Sequence, residues 1–323
     1  MQVERRLLEP YRAQESRLAV SETLLQFHIT GVDPQSAEEY NDYFGKSVMK
    51  ERSLGDILNE TFVIYGKGLR GFLVIAFIIF GPVNVLTFVG PKVSLQEYLT
   101  TGSISGSAVM FYVVAAIVTI VATTTVFSAA SAGVGQLVAF GRIDVGACFL
   151  RVGWRIYSLL FVSFILTTVL VVGIGGAVLL IPALASFAFL LFASMALPVS
   201  IYEGSKYLTA LSRSFNLVKS NWKRVLGGIC LITMLMLGLA LVLSVPSLIL
   251  VPSDSDGLQI LPTAIQYIVG LISNAAAVTV AAIAVTLLYF DVRIRSEGFT
   301  VDKLISELGV RAPGQNNTNS LVG

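Results

Sequence analysis

The sequence predicts an all-α integral membrane protein. It expects six transmembrane helices in three units, each an interfacial helix followed by two membrane helices, with both termini cytoplasmic. Three observations carry this. Of 323 residues, 55% are hydrophobic and 13% charged, whereas a soluble domain carries about 25% charged residues. The apolar residues are gathered into six runs, each as long as or longer than the roughly 20 residues a helix needs to cross a bilayer. Three times, a basic amphipathic stretch leads straight into a pair of these runs. Lipid offers no partner to backbone N–H and C=O groups, so each run must be helical.

Residues 1–52 are polar and charged. Leu7, Leu8, Tyr11, Leu18, Leu24 and Leu25 recur at roughly helical spacing, and Asp33-Pro34 breaks the pattern. The expectation is a partly helical cytosolic arm that packs on the membrane domain, stays mobile or docks a partner. The arm lacks the apolar core of a signal peptide, so the first membrane helix is expected to act as the targeting signal.

The membrane domain is expected over residues 53–307, with spans at about Leu69–Phe88, Ala108–Ala139, Tyr157–Leu180, Pro182–Tyr202, Val225–Leu248 and Ile265–Phe290. The second is longer than a bilayer requires and must tilt or project. Its later part, Ser128-Ala-Ala-Ser-Ala-Gly-Val-Gly, and Gly173, Gly175 and Gly176 of the third suit close helix packing. Pro198 should kink or unwind the fourth near Glu203. Residues 308–323 are expected to be a disordered tail.

The amphipathic stretches begin at Ser53, Ile143 and Ser205. Leu54, Leu58, Phe62, Tyr65 and Leu69 form a stripe in the first. Val145, Phe149, Val152, Ile156 and Leu160 do so in the second, and Leu208, Leu211, Phe215, Val218 and Trp222 in the third. Steps of three and four keep such stripes on one helix face. Helices of this kind lie in the membrane interface with basic side chains toward anionic head groups. Arg213, Lys219, Lys223 and Arg224 are the expected anionic-lipid contacts. Equally, the three helices can act as a cuff that braces the bundle.

Orientation follows from Lys and Arg. The loops assigned to the inside hold Lys50, Arg52, Lys67, Arg70, Arg142, Arg151, Arg155, Lys206, Arg213, Lys219, Lys223, Arg224, Arg293, Arg295, Lys303 and Arg311. Those assigned to the outside hold Lys92, with Asp254 and Asp256. This bias places both termini in the cytoplasm; the membrane expected is the cell (cytoplasmic/plasma) membrane.

Ser53-Leu-Gly-Asp-Ile-Leu-Asn-Glu-Thr-Phe-Val-Ile-Tyr precedes the first span. Leu197-Pro-Val-Ser-Ile-Tyr-Glu-Gly is followed by Ala210-Leu-Ser-Arg-Ser-Phe-Asn-Leu-Val-Lys-Ser-Asn-Trp-Lys-Arg-Val-Leu-Gly, and Leu288-Tyr-Phe-Asp-Val-Arg-Ile-Arg-Ser-Glu-Gly-Phe closes the last. In order and spacing these resemble the membrane domain attached to some glycerophosphodiester phosphodiesterases, and also carried by stand-alone multi-pass relatives. The resemblance covers about residues 53–307 and implies a six-span helical domain. It does not imply hydrolysis, because the family's chemistry resides in a separate soluble barrel with its own His and acidic metal ligands. This chain has one His, His28, and no room for that barrel.

No phosphate-binding loop, metalloprotease motif or nucleophile elbow is present, so no catalytic, cofactor-binding or metal-ligating residue is assigned. A net charge of +2 does not suggest nucleic-acid binding. Cys148 and Cys230 read as small buried apolar residues, with acylation of Cys148 as the alternative. The Asn59 and Asn316 sequons fall on the cytosolic side, where glycosylation is not expected.

Polar groups at membrane depth are costly and often functional. Asn84, Glu203, Asn274 and Asp291 are the candidate ligand or structural cluster, with Thr123, Thr124, Thr125 and Gln136 as further polar positions. Glu203 and Asp291 can pair with Arg213, Arg293 or Arg295 in a structural clasp. The leading expectation is a non-enzymatic scaffold or accessory subunit, with a membrane-protein partner or homo-oligomer. A transporter, channel or lipid-handling protein is the alternative, and an intramembrane lipid enzyme the second.

Overall fold

The computed structural model describes residues 51–91, 105–176, 180–250 and 260–308. The N-terminal arm with His28 and Lys50, the loop positions Lys92, Asp254 and Asp256, and the tail with Arg311 and Asn316 lie outside the described residues. All regular structure within the described residues is helical.

The first unit contains α1 (Leu54–Lys67), α2 (Leu69–Val89) and α3 (Gly106–Phe140). Ser53 and Asp56 close a capping box at the start of α1, satisfying two amides that the helix itself cannot. Ser105 caps α3, and Gly141 ends it at φ 71°, a left-handed conformation that favours glycine. The second unit contains α4 (Val145–Gly153), α5 (Ile156–Gly175), α6 (Leu180–Ala193) and α7 (Ala196–Tyr202). The third contains α8 (Leu208–Ser220), α9 (Trp222–Leu250) and α10 (Ile260–Glu297), after which α11 (Val301–Glu307) folds back.

Six helices are long and apolar enough to cross a membrane, with α6 and α7 together forming the fourth. At 35 residues, α3 is about 52 Å long against a hydrocarbon core of about 30 Å, as its sequence length requires. The sixth helix runs to Glu297, past the expected Phe290. Arg293 and Arg295 therefore join Asp291 on its last turns, with fixed spacing, instead of lying in a loop. The sequence reading also missed α11.

The three units recur in the order expected, but each amphipathic helix packs mainly on its neighbour's unit. α1 lies on α10, α4 on α3, and α8 on α6 and α7. The reason is the brevity of the connections. Only Gly68, then Trp154 and Arg155, then Asn221 separate each amphipathic helix from the span it introduces. So short a joint leads the amphipathic helix away from its own hairpin, and its apolar face meets the preceding unit, in a closed cycle.

That placement revises two stripes. In α1 the buried face is Ile57, Thr61 and Ile64, while Phe62 and Leu69 are exposed. In α8 it is Ala210, Leu211, Ser214, Leu217 and Val218, while Leu208 and Trp222 are exposed. An interfacial helix has a protein-facing side and a lipid-facing side, and hydropathy cannot tell them apart.

The core is concentrated toward one end of the bundle, where the Arg and Lys residues of the amphipathic helices also lie. α10 is central there and packs on α9, α3, α2 and α1. The small-residue run of α3, Ser128 to Gly135, is buried throughout. A Cβ added to Gly135 would stand 2.7 Å from the Tyr202 ring, so only glycine admits that ring. Tyr202 in turn stacks on Tyr289 at 5.8 Å and meets Phe290 edge-on at 5.1 Å.

Candidate functional site at the basic end of the bundle

The fourth span breaks where its sequence requires. Pro198 has no N–H to offer the carbonyl four residues back, that of Ser194, and α6 and α7 separate at Ser194 and Met195. The break thus falls one turn before the proline, further from Glu203 than expected. Its backbone is re-satisfied from α8. The Ser214 hydroxyl accepts from the Met195 amide at 3.2 Å and donates to the Phe192 carbonyl at 2.8 Å.

The far end of α7 is held by two arginines. Arg155 donates to the carbonyls of Ser200 and Ile201 at 2.5 and 2.6 Å. Arg151 donates to Ile201 at 3.0 Å and to the last carbonyls of α11, Glu307 at 2.6 Å and Leu308 at 3.1 Å. Cations at helix C-termini bond the orphan carbonyls and complement the helix dipole. Burial lowers the pKa of both arginines from the ordinary value, but a guanidinium remains charged. Neither role was read from the sequence, where Arg151 and Arg155 counted only as topology charges.

Two ionic clasps complete the end. In the first, Arg293 has a side chain only 8% exposed. It makes two parallel bonds to the Glu307 carboxylate, both 2.9 Å, and bonds Glu297 at 3.1 Å and the Tyr289 hydroxyl at 3.0 Å. Its guanidinium also lies 3.9 Å over the Phe299 ring. Glu203 accepts from Arg213 at 2.7 Å and from Tyr289 at 3.1 Å, and stands 3.7 Å from Arg293. Arg213 reaches Glu297 as well. Burial opposes the Arg213 charge, but the bonds to Glu203 and Glu297 outweigh it and hold its pKa above the ordinary value.

In the second clasp Asp291, 2% exposed, accepts from Arg224 at 2.5 Å, from Arg295 at 3.2 Å and from the Arg52 amide at 3.1 Å. Arg224 and Arg295 also donate to the Arg52 carbonyl, and Arg295 pairs with Glu51 at 2.7 Å. This fastens the chain ahead of α1 to α9 and α10. The Arg52 side chain is buried, which lowers its pKa against the pull of Glu60, Asp291 and Asp56.

The four candidate polar residues do not form one cluster. Glu203 and Asp291 belong to the clasps. Asn84 lies sixteen residues into α2 and Asn274 seventeen before Asp291, about 24 Å or more from the basic end at 1.5 Å per residue. Asn84 donates to its own helix at Phe80, 2.9 Å away, and Asn274 is exposed on α10. Thr124 and Thr125 likewise bond carbonyls four residues back, both at 2.7 Å. Gln136 accepts from the Asp144 amide at 2.8 Å.

Of the expected lipid-contact residues, Lys219 and Lys223 are exposed, while Arg213 and Arg224 are committed to internal carboxylates. Arg213 makes the clasp to Glu203 that the sequence offered, ten residues away, whereas Arg224 meets Asp291 sixty-seven residues on, a pairing that hydropathy does not reveal. Cys148 is buried, and burial first, with Asp144 beside it, pushes its thiol up to about 12 against the pull of Arg151. That excludes it as an accessible acylation site in the folded chain. Cys230 is exposed on α9, contrary to the buried reading. Among the described residues, no group of three or more His, Cys, Asp or Glu is placed to hold a metal.

No family model, curated protein or solved structure matches the chain.

Proposed function

We propose that the chain is a non-enzymatic multi-pass protein of the cell membrane. In this reading it serves as a scaffold or accessory subunit of a membrane complex, with its basic end and both termini in the cytoplasm. The observation that carries the proposal is the disposition of charge. Glu203, Asp291, Glu297 and Glu307 are each bound by arginines, so the basic end is a braced platform. Around its rim the amphipathic helices and the joints beside them leave Phe62, Trp154, Tyr157, Tyr207 and Trp222 exposed, beside Lys219 and Lys223. Exposed Trp and Tyr with Lys at the ends of spans suit the head-group level of a bilayer. The resemblance to the membrane domain of glycerophosphodiester phosphodiesterases supports the same reading, since that domain accompanies a separate catalytic part.

Crosslinking in native membranes tests it. A reproducible protein partner attached at the basic end is expected. A chain that purifies alone, with no recurrent crosslinked protein, removes the proposal. A second reading, lipid handling or transport, is favoured by the broken fourth span, because discontinuous helices often line substrate sites in transporters. Solute or lipid flux in liposomes containing the purified chain separates the two.

A further inference from the structure

Arg213, Arg224, Arg293 and Arg295 each pair with a carboxylate. Arg151 and Arg155 differ. Among the described residues neither bonds a carboxylate, and both donate only to main-chain carbonyls. They are also neighbours, because both donate to the Ile201 carbonyl, at 3.0 and 2.6 Å. Two like charges thus meet on one oxygen. Burial first, and then the charge of Arg151, lowers the pKa of Arg155. Nearby negative charge is what the pair lacks.

The Arg155 fork is half used. Nη1 makes both of its bonds, to the Ser200 and Ile201 carbonyls. The N–H groups of Nε and Nη2 have no acceptor among the described residues. These two nitrogens share one edge of the planar guanidinium, the edge that grips a carboxylate or phosphate with parallel bonds. Arg213 spends the same two nitrogens on Glu203 and Glu297. At Arg155 the edge stays open because of Gly204, which has a φ of 74°. A Cβ there would stand 3.1 Å from Nη2. Glu203, next to it in sequence, is turned to Arg213 and Tyr289. The turn itself is fastened along α5. The Tyr207 amide donates to Ser158 at 2.8 Å, and the Tyr207 ring meets Phe161 edge-on at 5.6 Å. Arg155, Ser158 and Phe161 are three residues apart, so they share one face of the helix.

We propose that the Nε–Nη2 edge of Arg155 binds the phosphate of an anionic phospholipid in the leaflet at the basic end, with Lys206 beside it. The level is set by the chain, since Arg155 immediately precedes the span Ile156–Gly175. Trp154 and Tyr157 on either side are exposed, and so is Lys206. Trp and Tyr next to basic residues at a span end belong to the head-group region. A phosphodiester brings one negative charge to two guanidiniums that have none. A zwitterionic head group also brings a cation, which the pair repels, so the anionic lipid is favoured. The site differs from the contacts expected at Arg213 and Arg224, whose guanidiniums are committed internally. The inference goes beyond the scaffold reading and does not rest on it.

Native mass spectrometry of the purified full chain tests this, with phosphatidylglycerol and phosphatidylcholine added in equal amounts. The chain should retain phosphatidylglycerol in several-fold preference. Arg155→Gln should cut that preference by about tenfold, the effect of losing a charge-assisted bond. Lys206→Glu changes an exposed residue and should lower it several-fold, which keeps the test decisive if Arg155→Gln fails to fold. Lys219→Gln combined with Lys223→Gln should leave it unchanged. Equal retention of the two lipids, or a preference that survives both Arg155→Gln and Lys206→Glu, would overturn the proposal. So would a preference lost in the double lysine variant and kept in Arg155→Gln, which would assign it to the exposed lysines. Excess inorganic phosphate should not displace the lipid; displacement would mark a free-anion site and overturn the lipid assignment. Retention of phosphatidylglycerol only after Glu38→Gln with Glu39→Gln would give the edge to the chain's own N-terminal arm, and the proposal would fall. The sample holds only this chain, so failure here leaves the scaffold reading untouched.

Discussion

The Ser214 hydroxyl accepts a hydrogen bond from the Met195 amide at 3.2 Å, and through it a surface helix completes the backbone of a broken membrane span. The same hydroxyl donates to Phe192, so one side chain serves a backbone donor and a backbone acceptor on the two sides of the interruption. An unsatisfied amide or carbonyl in an apolar interior is expensive. The interruption at Pro198 and the docking of α8 are therefore one structural event.

Ser214→Ala should test that link. It leaves the Met195 N–H and the Phe192 carbonyl without this partner and is expected to cost about 1–3 kcal/mol. Thermal unfolding in detergent should show the loss. Hydrogen exchange should speed up at Met195 before it does in α10.

Arg293→Lys should behave almost as badly as Arg293→Met. A lysine cannot reproduce the two parallel bonds to Glu307 or the stacking over Phe299. Removing one partner of a buried pair costs roughly 3–5 kcal/mol. Glu307 is partly in water, so the lower end is expected. A double-mutant cycle with Glu307→Gln, read by chemical or thermal unfolding, should give a clear coupling energy, and α11 should become protease-sensitive.

Cys148 should make the folded chain less stable in alkali. Its thiol pKa rises from 9.0 to about 12 on folding, so between those values the folded chain holds a proton that the unfolded chain has released. Stability then falls as pH rises through that window, by at most about 1.4 kcal/mol per pH unit from this group. The difference in unfolding between the wild type and Cys148→Ala should shrink as pH rises from 9 to 11. At pH 8 the Cys148 thiol should resist alkylation until the chain unfolds.

Two glycines should respond with opposite sign. Gly135→Ala drives a methyl into Tyr202 and is expected to destabilise by about 1–3 kcal/mol. Gly66→Ala, on the exposed side of α1 with nothing within 4 Å, should stabilise by about 0.5–1 kcal/mol. Melting temperatures of the two variants in one detergent provide the check.

The sequence by itself determined the solvent, the helical class, the number of spans and the three-unit order. Each of these depends on local composition and spacing, and a lipid environment allows apolar runs few alternatives. It also contained the interruption at Pro198, the tight packing of Ser128 to Gly135, and the clasp pairing of Glu203 and Asp291 with arginines, all legible from residue chemistry. Only the tertiary structure decided that each amphipathic helix lies on its neighbour's unit. It alone showed Arg151 and Arg155 capping helix ends, Arg224 reaching Asp291, and Asn84 standing far from Glu203. Those relations join residues tens to hundreds of positions apart, and helix-face periodicity says which side of a helix is apolar without saying what it meets.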